Sequence, residues 1–158
     1  MKAAVVALDA ALHNTVVTAE GIEEAAERLG LGPKAQGRVT RALGLADGQV
    51  ESPGESLTRL ILAGLGFPVR SQVGISDAAG FVGRVDFLVG DRVVVEFDGL
   101  VKYEGAQGRE ALAAEKRRED RLRAAGYEVV RLTWADLGRQ DHVARLVREA
   151  TQRARRAA

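Results

Sequence analysis

The sequence predicts an α/β fold, a four-stranded mixed sheet flanked by helices and preceded by a small N-terminal helical segment. Three observations predict it. Residues 81–89 and 92–98 form two apolar runs around Gly90-Asp91, as the arms of a hairpin do. A charged helical run at about 107–125 separates that hairpin from a further apolar run at about 127–133, and is long enough for a crossover that lays the last strand parallel to a neighbour. Three short helical stretches precede residue 50.

Taken in order, residues 2–12 read as an Ala-rich helix. A second begins near Thr18, which can cap it, and runs through Glu23, Glu24 and Glu27 to Gly30. A third starts at Pro33 and ends near Gly48. Together they suit a helical cap on the sheet better than a DNA-reading helix-turn-helix, for which Arg38 and Arg41 are too few. Ser52-Pro53-Gly54-Glu55 has the form of a capping box opening a helix to Gly66. Strands follow at about 68–75, 81–89, 92–98 and 127–133, and a last helix begins near Asp141. VVVEF, apolar on both faces, reads as a central strand. The chain thus divides into residues 1–50, a helical segment; 51–140, the sheet-bearing domain; and 141–158, a basic C-terminal helix.

Composition narrows the function classes. The 158 residues are 46% hydrophobic and 28% charged, with no cysteine, which excludes disulfides and thiolate metal sites and fits a cytoplasmic protein. No apolar run approaches the roughly 20 residues of a membrane helix, and no export leader is expected. The net charge is only +1, but it is unevenly spread: residues 109–158 hold 13 Lys/Arg against 8 Asp/Glu, leaving 10 against 14 for residues 1–108. Arg118 and Arg121 on the crossover helix, with Arg145 and Arg148 on the last, are the candidate contacts to DNA phosphates.

The acids of the hairpin carry the chemistry. In the first arm Phe81, Val85, Phe87 and Val89 are odd-numbered while Arg84 and Asp86 are even. In the second, Val93, Val95 and Phe97 are odd while Glu96 and Asp98 are even. Burying both apolar sets together pairs odd with odd, whereas a two-residue turn would set Val89 against Arg92. A three-residue loop or bulge near Gly90 is therefore expected, with Asp86 directly or diagonally across from Glu96. Carboxylates brought together repel unless a positive charge sits among them. Mg²⁺, with Mn²⁺ as substitute, is the natural candidate, and Lys102 adds a second positive charge for phosphodiester hydrolysis.

The order Glu55 on a helix, Asp86 on a strand, Glu96-Phe97-Asp98-Gly99 on the next, then a helix with Arg118, Leu122 and Gly126 resembles the PD-(D/E)XK nuclease superfamily. More narrowly it resembles the branch related to the very-short-patch-repair endonuclease (Vsr-like), which includes C-terminal domains of actinobacterial AbiEi-type antitoxin-like proteins. The resemblance covers about residues 50–138. It implies a restriction-endonuclease-like fold, and a metal held by Asp86, Glu96 and the Phe97 carbonyl. Asp98 stands where the superfamily usually has lysine and would assist with metal or water; Lys102 would stabilise the transition state, and Glu55 would be auxiliary. The related proteins also carry an upstream winged-helix part.

Simpler readings stand beside these. Glu55 is equally a capping residue, and Glu115 near Arg118 and Glu119 near Arg123 are surface ion pairs. Trp134 reads as core or as packing against the last helix rather than a base-stacking platform. Gln72 reads as a polar edge residue, and His13 and His142 as surface or interface residues. Two rival functions remain: a non-catalytic regulator that binds nucleic acid or a protein, and a metal-dependent enzyme acting on RNA or a small phosphoester.

Overall fold

A computed structural model describes residues 1–99 and 105–156. The chain forms two compact units, Met1–Leu60 and Ile61–Ala158.

The first unit holds α1 (Lys2–His13), α2 (Ala19–Arg28), α3 (Pro33–Leu43) and the opening of α4 (Pro53–Gly64). Thr18 caps α2 by accepting the Gly21 N–H at 3.1 Å, and Pro33 occupies the first turn of α3, where a missing N–H costs nothing. A buried charge ties the unit together. Asp9, 1% exposed, accepts from the Asp47 N–H at 2.7 Å and from Arg59 Nη2 at 3.1 Å, while Arg59 also donates to the Leu45 carbonyl at 2.6 Å. Those partners offset the cost of taking a carboxylate out of water.

The second unit is an α/β sheet in the order β1 (Val69–Asp77), β2 (Gly80–Val89), β3 (Val93–Asp98), β4 (Glu128–Thr133). The first three strands are antiparallel and β3–β4 is parallel, so the sheet is mixed and open. The parallel step is made by α5 (Gly105–Ala124). A short α6 (Trp134–Leu137) and then α7 (Gln140–Arg156) follow β4.

Burial explains the layering. Leu122 of α5 packs into a cluster with Ile75, Val85, Leu88, Val94 and Val129. Val130 and Leu132 alternate with Val129 and therefore point to the other face, where α7, with Val143, Ala144, Val147 and Ala150 buried, packs on β3 and β4. Covered on both faces, β3 reads as the unbroken apolar run Val93-Val94-Val95.

The hairpin has the expected register. Val89 pairs with Val93, Leu88 with Val94 and Phe87 with Val95, which leaves the three-residue loop Gly90-Asp91-Arg92. Gly90 takes a φ of +58°, open to glycine at no steric cost. The strict odd-even split fails further along β2, since Val85 and Leu88, of opposite parity, join one core cluster. The break falls at Asp86. The β1–β2 ladder runs Ser71 with Phe87, then Val73 with Val85, with no pair at Gln72 and Asp86, and Gln72 adopts a left-handed φ of +52°. Among the described residues no helix is long and apolar enough to cross a membrane.

Candidate functional site

The site is built where β2 and β3 leave their ladder. Phe87–Val95 is its last pair, and one step further the Asp86 side chain replaces a backbone acceptor: its Oδ2 takes the Phe97 N–H at 2.8 Å. Extending the register by that step sets Asp86 across from Glu96, so two carboxylates of neighbouring strands flank one peptide. Glu96 is 8% exposed, while Asp98 is exposed at the strand end. Among the described residues no three Asp, Glu, His or Cys side chains gather within reach of one ion. Asp86 and Glu96 are the two carboxylates that could serve as donors here, rather than three converging acids. That composition suits Mg²⁺, which takes one or two carboxylates and keeps several waters.

The protein supplies its own cations to Glu96. Arg118 of α5 donates to Glu96 Oε1 at 2.6 Å, to the Arg84 carbonyl at 2.8 Å and to Glu115 at 3.0 Å. Arg131 stands opposite Glu96 in the parallel β3–β4 register and approaches Oε2 at 3.5 Å, while bonding Glu115 at 2.6 Å and Glu119 at 3.0 Å. Burial acts to lower the pKa of both arginines. The hydrogen bonds and charges of Glu96, Glu115 and Glu119 outweigh it and hold both above the ordinary arginine value. Glu119 is likewise raised by burial but held below its usual value overall by hydrogen bonds from Arg123 and Arg131. Gly83 makes room for this network, because a Cβ there would lie 2.7 Å from Arg118 Nε.

Arg131 was not among the sequence candidates. The available signal was the match of two runs, VVVEFD and EVVRLT: laid parallel with their valines together, they set Glu96 against Arg131.

Glu55 belongs to the first unit, where its carboxylate accepts from Ser52 Oγ at 2.7 Å and the Glu51 N–H at 3.0 Å while its own N–H donates to Ser52 Oγ at 3.1 Å. That is the capping role. Lys102 lies outside the described residues. Arg121 grips Asp77 with two hydrogen bonds of 2.7 and 2.9 Å and also bonds the Gly80 and Phe81 carbonyls, bracing α5 against the β1–β2 turn. Arg145 pairs with Glu149 at 3.0 Å on the surface of α7. Arg148 is exposed and, with Arg92 and Arg155, rims a groove of about 520 Å³ floored by Phe67, Pro68, Val89 and Val93. Trp134 is not core: it is 47% exposed and meets Phe97 edge to face, the ring centres 4.9 Å apart.

No protein-family model, curated protein or solved structure matches the chain.

Proposed function

We propose that the chain is a divalent-metal-dependent DNA endonuclease of the PD-(D/E)XK type, hydrolysing phosphodiester bonds. The observation that carries the reading is the Asp86 carboxylate on the Phe97 amide, which sets two acids beside one peptide of β3. The residues fit a hard divalent ion. Arg118 occupies Glu96 Oε1, but a carboxylate has about four acceptor positions, so capacity remains. Such an ion supplies Lewis-acid polarisation of a phosphoryl oxygen and a more acidic bound water. The chain's own part is to hold that donor set rigidly. Asp86 is fixed by the Phe97 N–H, Glu96 by Arg118 and Arg131, and Arg118 in turn by the Arg84 carbonyl. Lys102, a few residues past Asp98, is assigned the charge that builds on the phosphoryl group, and Asp98 a supporting role toward water. The left-handed Gln72 beside Asp86 adds support, because strained residues gather at functional sites.

A second reading has its own observation. Glu96 already has two arginine partners, as it would in a fold that binds DNA or a protein without cutting. The deciding experiment incubates the protein with single-stranded, duplex and branched DNA in Mg²⁺, Mn²⁺ or chelator. Cleavage that needs the metal and is lost in Asp86→Asn and Glu96→Gln, both still folded, supports the nuclease. Binding with no cleavage on any substrate favours the regulator.

A further inference from the structure

We propose, on the metal reading above, that Arg118 is an internal counter-cation that competes with a divalent ion for Glu96, so that this guanidinium sets how tightly the site holds its metal.

Glu96 is 8% exposed and has two arginine neighbours that differ in kind. Arg118 Nη2 donates to Glu96 Oε1 at 2.6 Å, a short charge-assisted bond. Arg131 comes only within 3.5 Å of Oε2, and its short bonds go to Glu115 at 2.6 Å and Glu119 at 3.0 Å. Arg118 is therefore the cation that an ion arriving at this carboxylate has to contend with. Its own place does not depend on Glu96 alone. Nη2 also donates to the Arg84 carbonyl of β2 at 2.8 Å, and Nη1 to Glu115 at 3.0 Å. Gly83 lets it in, since a Cβ there would lie 2.7 Å from Nε. A guanidinium with five N–H donors in a fixed fork can lose one of these three contacts and stay docked by the other two.

Two positive charges on one carboxylate repel, and more strongly at a buried site than in water. Each then weakens the hold of the other. By linkage, the factor by which Arg118 lowers the affinity for metal is the factor by which metal lowers the contribution of Arg118 to stability. A guanidinium that served only to orient Glu96 would act in the opposite sense, because its loss would loosen the carboxylate and weaken the metal. The register favours competition: Arg131 stands opposite Glu96 on β4 and remains beside Oε2 when Arg118 is removed.

The test titrates Mn²⁺ alone into the intact parent, Arg118→Met and Arg118→Lys by calorimetry. Arg118→Met keeps an apolar stem and loses the charge, and it should bind Mn²⁺ about 5- to 150-fold more tightly than the parent. Arg118→Lys keeps the charge and should stay within a few-fold of the parent. Urea denaturation closes the cycle: the stability that Arg118→Met loses in chelator should be smaller in saturating Mn²⁺, by the free energy of that same fold-change. An Arg118→Met that binds Mn²⁺ like the parent, or more weakly, overturns the competition and leaves the metal reading standing. No Mn²⁺ heat in any of these proteins, or a gain that survives Asp86→Asn, removes the metal reading as well. Should Arg118→Met fail to fold, Gly83→Ala displaces the guanidinium through the 2.7 Å contact and has to raise the affinity in its place; unchanged or weaker binding there overturns the competition.

Discussion

Arg118 and Glu96 meet at 2.6 Å beneath α5, a guanidinium 21% exposed against a carboxylate side chain 10% exposed. Glu96 thereby meets a cation of the protein itself inside the sheet.

Removing that cation strands the carboxylate only in part, because Arg131 remains 3.5 Å away. Arg118→Ala is expected to cost about 1–3 kcal/mol, less than the 3–5 of a fully buried pair broken from one side. Urea denaturation measures it. The double variant Arg118→Ala/Glu96→Gln should lose less than the two single losses added together.

Gly83 predicts the same effect by a different route. A methyl group there would sit 2.7 Å from Arg118 Nε, so Gly83→Ala should push the guanidinium off Glu96 and cost about 1–2 kcal/mol. In an Arg118→Ala background the same substitution should cost less, because the clash is gone while the strain of its φ of +158° remains, and a second urea series reads the difference directly.

The hairpin register and the capping box were legible in the sequence because both rest on local rules, side-chain parity in one case and a serine three residues before a glutamate in the other. The crossover helix and the parallel strand after it were legible from length. What the sequence hid depends on distant segments meeting. Arg131 is 35 positions from Glu96 and reaches it through the parallel register alone. Arg121 looked like a free cation until the β1–β2 turn brought Asp77 to it. The break in alternation at Asp86 was hidden because Gln72, its neighbour on β1, carries no turn signal. The sequence allowed Trp134 either core burial or packing against the last helix; at its capped strand-to-helix junction it is half in water with its ring on Phe97.

Acid should weaken the fold in a defined window. Hydrogen bonds from Arg121 hold Asp77 below its usual pKa, and those from Thr133 do the same for Asp136. A folded-state pKa below the unfolded one means stability that is present above the unfolded value and lost as pH falls through the folded one. Thermal melts from pH 7 to pH 2 should therefore be level near neutrality and decline below about pH 4. The melting deficit of Asp77→Asn, present at pH 6, should shrink across that decline. A constant deficit would contradict the assignment.

Salt dependence separates bracing arginines from binding ones. Among the described residues Arg148 and Arg155 have no carboxylate partner, whereas Arg121 is held by Asp77. Arg148→Ala and Arg155→Ala should each lower the slope of log affinity against log salt for single-stranded DNA by about 0.7, with sequence preference unchanged. Arg121→Ala should lower stability and leave the slope alone. Anisotropy titrations at four salt concentrations distinguish the two outcomes.

If Asp86 and Glu96 together hold a divalent ion, calorimetric titration of Mn²⁺ into the parent should give a saturable heat and a melting temperature that rises with Mn²⁺, both lost in Asp86→Asn and Glu96→Gln while each fold is retained. Equal Mn²⁺ binding in all three proteins, or none in the parent, would remove the site.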